Sequence, residues 1–147
     1  MSFGKGSAGG GYGDLGLLLI RLGVGFSMAI FHGYGKISGG PELWTKIGAS
    51  MGHFGIHFAP AFWGFLSALA EFGCSILLIV GLFFRPAAAA LAFNMLVAST
   101  THLTMPAGAQ NAGWSGASHA IELLAVYLGL LLLGPGRYAL IPKWRRG

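Results

Sequence analysis

Residues 117–136 read ASHAIELLAVYLGLLLLGPG, and how that run is read decides the fold. As a helix its apolar stretch is long enough to cross the hydrocarbon of a bilayer, which takes about 20 residues. It nevertheless carries His119 and Glu122 one turn apart near its start. An imidazole and a carboxylate at that depth need partners, because charges facing lipid cost several kcal/mol.

The rest of the chain supplies the setting. Of its 147 residues 54% are hydrophobic and 9% charged, with a mean hydropathy of +0.69, whereas soluble domains carry about a quarter charged residues. Backbone groups in lipid must be satisfied within helices or closed barrels. Barrel alternation is absent, and four long apolar runs are present: Leu15 to Gly35, Pro60 to Phe84, Ala87 to Met105 and Ala117 to Gly134. The expectation is an all-α integral membrane four-helix bundle. Residues 1–13, rich in Gly and Ser, read as a flexible tail without signal-peptide layout. Residues 14–138 form the transmembrane domain, and 139–147 a basic C-terminal tail.

Between the first two runs, GPELWTKIGASMGHFGIHFAP places Leu43, Ile47, Met51, Phe54 and Phe58 at helical spacing, with Pro41 and Glu42 suited to a first turn. This predicts an interfacial amphipathic helix from Pro41 to Phe58, lying along the outer surface. Lys5, Arg85, Arg137, Lys143, Arg145 and Arg146 fall on one side of the bundle and Lys36 and Lys46 on the other. Basic residues favour the cytoplasmic side, so both termini are expected there. The pI near 9.8 then reflects membrane topology, and no basic stripe interleaved with aromatics points to nucleic acid.

Depth along each helix sorts the buried polar groups into two belts. At about 1.5 Å of rise per residue, Arg21, Asn94 and Tyr127 fall roughly 10–12 Å from the cytoplasmic ends, and His32, Glu71, His102, His119 and Glu122 roughly 18–27 Å. His119 and Glu122 are expected to look into the bundle. A network that only sets helix register accounts for either belt; proton or redox work also uses such groups.

For the outer belt, a quinone head group comes first, with His119 and Glu122 as the reactive pair and His32, Glu71, His102, His119 and Arg21 as cofactor-binding groups. Haem held non-covalently by two of the histidines comes second. A transition metal comes third, because the histidines are scattered, and no metal ligands are assigned. Cys74 is the only cysteine, which excludes an internal disulfide.

Arg21 with its glycines, FHGYGKI, AEFGCSILLIVGLFFRP and GPGRYAL follow one another over roughly Leu15 to Ala139. In that order they resemble the DoxX family of small four-helix bacterial and archaeal membrane proteins. The matching positions are Arg21, His32, Gly33, Lys36, Glu71, Gly81 and Arg85, closed by Gly134, Pro135, Gly136 and Arg137. Where many members continue with a Ser-Leu-Asp-like ending, this chain reads Ala139, Leu140, Ile141. The resemblance implies a multi-pass cell-membrane subunit named after a terminal quinol oxidase, with relatives in thiosulfate:quinone oxidoreductase and thiol-stress complexes. Expected partners are the lipid bilayer and other subunits of an oxidoreductase complex; the other class left open is a non-catalytic subunit that docks or stabilises such a complex.

Overall fold

A computed structural model describes residues 10–140, and these contain helices and no strand. Helix α1 runs Gly10–Ser27 and continues through a π-helical turn, Met28–Gly33, into a last turn, Tyr34–Ile37. Helix α2 is Gly40–Gly48, followed by a 3-10 segment, Ala49–Phe54. Helix α3 starts as Pro60–Leu69, passes through a second π-helical turn, Ala70–Cys74, and ends as Ser75–Val80. Helices α4, Phe84–Thr104, and α5, Gly113–Leu133, complete the chain.

Three stretches are long and apolar enough to cross a membrane: Gly11–Ile37, Pro60–Val80 and Gly113–Leu133. Helix α4 has the length but not the hydropathy, since Arg85, Asn94, Ser99, Thr100, Thr101 and His102 interrupt it. Its hydroxyls are nonetheless satisfied inside the helix: Ser99 donates to Met95 O at 2.7 Å, Thr100 to Leu96 O at 2.9 Å and Thr101 to Val97 O at 2.9 Å. One face, which includes Ser99, is packed, with Phe84, Ala88, Leu91, Ala92 and Met95 meeting Met28, Leu78, Ala120, Tyr127 and Leu130 in the core. The alanines let α4 and α5 approach closely, as small residues do between membrane helices.

The loop between α1 and α3 departs from the expected single helix over Pro41 to Phe58. It breaks after Gly48, tightens into the 3-10 segment and ends at Gly55, whose φ of +76° is left-handed. Packing explains the break: a Cβ on Gly48 would strike Pro60 O, and one on Gly64 would strike Trp44 O. Helix α2 therefore lies backbone-to-backbone on the start of α3. Helix α1 begins at Gly10, inside the segment read as a tail; Lys5, Lys143, Arg145 and Arg146 lie outside the described residues.

One end of the bundle is tied by Arg21, which is fully buried. The last four carbonyls of a helix have no partner within it, and in α3 each finds one elsewhere. Leu77 O accepts from Gly81 N and Leu82 N, Leu78 O from Arg21 Nε at 3.0 Å, Ile79 O from Arg21 Nη2 at 2.7 Å, and Val80 O from Leu140 N at 2.9 Å. The remaining nitrogen, Nη1, donates to Pro135 O and Tyr138 O, and Asp14 Oδ1 accepts from Arg137 N. The closing GPGRY motif is thus folded onto α1 and α3 by one guanidinium.

Candidate functional site

Two π-helical turns face each other across α1 and α3, and the contact is made possible by Gly33. A Cβ there would lie 2.6 Å from Phe72 N and 2.7 Å from the Glu71 carbonyl carbon. A π-turn adds a residue to the helical turn and is found disproportionately at functional sites. Here the turn in α3 carries Glu71, 2% exposed.

Glu71 is the meeting point of three helices. Its Oε1 accepts from Lys36 Nζ of α1 at 2.7 Å and from Asn94 Nδ2 of α4 at 2.7 Å. The Lys36–Glu71 contact is the one ion pair among the described residues. The other oxygen, Oε2, is buried and has no hydrogen-bond partner among them. A buried carboxylate oxygen left unpaired costs more than a neutral group would, which sets it apart from the other unpaired buried atoms among the described residues, Trp63 Nε1, Ser75 Oγ and the Tyr127 hydroxyl. Tyr127 of α5, also fully buried, leaves its hydroxyl without a partner among the described residues.

A cavity of about 520 Å³ opens from this cluster between α3 and α4, with Gly48, Ser50 and Met51 of the α2 segment among its lining. Lys36, Glu71, Asn94 and Cys74 line it together with Trp63, whose Nε1 is buried and unpaired. Much of the remaining wall is apolar, including Leu66, Leu69, Phe93, Val97 and Met105. Pockets for small organic ligands are of this size and character, mostly apolar with a few convergent polar groups.

The sequence-predicted residues divide. Glu71 lines the cavity, as does His102, whose Nδ1 lies 2.9 Å from Asn111 O. His32 and His119 stack with ring centroids 5.4 Å apart and planes inclined by 27°, beside the cluster and outside the cavity lining. Arg21 stands apart, its donors committed to backbone carbonyls.

Glu122 and His119, expected to face inward, are exposed. The physical reason is helix phase: Ala117, Ala120, Tyr127 and Leu130 form the buried face of α5, and Glu122 lies opposite.

Asn94, expected in a belt with Arg21, joins Glu71 instead. With α3 ending at Val80 and α4 starting at Phe84, both lie about 14–15 Å from that end.

Lys36 and Trp63 were missed as site residues. Lys36 carried a signal, since it lies one turn beyond His32 with a stem long enough to bend back from a helix end.

The sequence profile of the DoxX family matches residues 16–104, which hold every member of the Glu71 cluster on α1, α3 and α4. The chain belongs to the DoxX family. As a DoxX protein it is a membrane protein in contact with lipid, of a family often associated with oxidoreductase-related functions. No curated protein and no solved structure matches it.

Proposed function

We propose that this DoxX protein is a membrane subunit of an oxidoreductase complex that holds a quinone or quinol head group at the Glu71 end of the cavity. The observation that carries the reading is the buried Glu71 carboxylate, one oxygen of it without a partner among the described residues, in the lining of a largely apolar pocket. A quinol hydroxyl would donate to the Glu71 carboxylate once a small side-chain rotation brings Oε2 to the pocket surface, with Lys36 and Asn94 held on Oε1. Trp63 Nε1, buried without a partner among the described residues, would become the donor to a quinone oxygen on a side-chain rotation. An isoprenoid tail would run along Leu66, Phe93 and Val97 toward lipid. The head-group chemistry read from sequence in His119 and Glu122 thereby passes to Glu71.

The stacked histidines favour quinone over haem. Two axial imidazoles aim nitrogens at one iron from opposite sides, whereas His32 and His119 present their faces to each other. Among the described residues no three His, Cys, Asp or Glu side chains group as metal ligands.

We further infer that α4 crosses the membrane with the other three long helices, its polar groups being satisfied internally or turned to the cavity. Both termini then face the cytoplasm of a bacterial or archaeal cell, and α2 lies at the outer interface.

Organic extraction of the protein purified in native lipid discs tests the reading. About one quinone per chain is expected in wild type, with most of it lost in Glu71→Leu; a wild-type protein free of quinone would overturn it.

A further inference from the structure

Glu122 lies about 14 Å from Gly113 and about 17 Å from Leu133 along α5, at the middle of a helix apolar enough to span a membrane. It is exposed and has no charged partner among the described residues. Carboxylates at mid-membrane depth pair or turn inward, so this one points to a surface that something covers.

The surrounding residues describe that cover. Ser115, Ser118, Glu122, Ala125, Gly129 and Leu132 recur at alternating steps of three and four, the spacing of a left-handed helix–helix seam. All are exposed except half-buried Gly129. Up to Gly129 the line is built of small residues apart from Glu122, and a Cβ on Gly129 would meet nothing within 4 Å. Such a line lets a second helix approach closely. It continues into an open apolar groove between α5 and α1, lined by Gly129, Val126, Ile20 and Gly23.

We infer that the occupant is a second copy of this chain, packed through α5 about a two-fold axis along the membrane normal. Charge complementarity selects it. His119, also exposed, lies one turn from Glu122 at the rim of the same seam. Two copies inserted in the same direction run their α5 helices parallel, so residues of equal height meet. Each Glu122 then lies near the axis, where the like-charge contact with its counterpart is relieved by the partner copy's imidazole, a donor within one turn. An isologous interface needs a patch that complements itself, and an acid on the stripe with a base at its rim meets that need.

Oxidative cross-linking in native membranes, with Cys74 retained, tests the arrangement. Ala125→Cys should give a disulfide-linked dimer, while wild type and Leu96→Cys, on the exposed face of α4, should not. In lipid discs the wild-type particle should hold two chains. Glu122→Leu should weaken the dimer at least tenfold, and the exchange His119→Glu with Glu122→His should restore it. Equal cross-linking at positions 125 and 96, a single chain per disc, or a different protein cross-linked at position 125 would each overturn the inference.

Discussion

Lys36 Nζ sits 2.7 Å from the Oε1 of Glu71, and that oxygen also takes the amide hydrogen of Asn94. One carboxylate oxygen therefore joins α1, α3 and α4, while its twin is buried without a partner among the described residues, in a residue that lines the cavity. Lys36 remains partly exposed, at 31% of its side chain, whereas that of Glu71 is 3% exposed, so the cost of disrupting the pair falls mainly on the acid.

Glu71→Gln retains an acceptor for both donors and should cost about 1 kcal/mol, in the range of a single hydrogen bond. Glu71→Leu leaves the Asn94 amide without its acceptor while Lys36, partly exposed, turns to solvent, and should cost about 2 kcal/mol, as an unsatisfied buried donor does. Reversible unfolding in mixed detergent, followed by tryptophan fluorescence, measures both. Equal losses in the two variants would mean that Oε1 organises nothing.

Gly33→Ala should destabilise the bundle by about 2 kcal/mol, because its methyl meets backbone atoms of Glu71 and Phe72 that cannot swing aside. Gly16→Ala is the control, with open space at its Cβ, and should change stability by less than about 0.5 kcal/mol. The same unfolding assay decides, and comparable effects at the two positions would remove the close approach of the π-turns.

Arg21→Lys should behave as a severe substitution despite conserving charge. A lysine ammonium cannot reproduce a fork that reaches Leu78, Ile79, Pro135 and Tyr138 at once. The expected loss is about 3 kcal/mol or more, given four hydrogen bonds from a charged donor. Hydrogen exchange at the Leu140 amide, which donates to Val80 O, should accelerate well before global unfolding. Unchanged protection there would separate Arg21 from the closing turn.

The all-helical, membrane-spanning character was legible because apolar runs of fixed length leave few alternatives, and the histidine-bearing helices were placed by the same runs. Helix phase was not legible. The apolar face of α5 is nearly continuous, so nothing in the spacing told which side Glu122 would take. Asn94 and Glu71 were separated because helix ends were set a few residues away from Val80 and Phe84, and at 1.5 Å per residue that error is as large as the gap between the belts. The two π-turns shift register within α1 and α3, and no sequence rule marks such an inserted residue. The motif glycines, by contrast, become intelligible once built: Gly33 and Gly81 stand where a Cβ would strike Phe72, and Arg21 and Ala139, respectively.

Topology has its own readout. An introduced cysteine at Ala109, between α4 and α5, should react with an impermeant thiol reagent added outside the cell, and one at Phe83, exposed between α3 and α4, should react only after permeabilisation. The reverse pattern would invert the membrane orientation.

The cavity itself gives the most direct test of the central claim. Binding of a short-chain quinone analogue to the protein in lipid discs would be compared among wild type, Glu71→Gln and Ala98→Phe, the last placing a ring into the cavity wall. The account predicts saturable binding to wild type, about tenfold weaker binding to Glu71→Gln from the lost charged acceptor, and none to Ala98→Phe. Equal affinity in all three proteins, or no saturable binding to wild type, would contradict it.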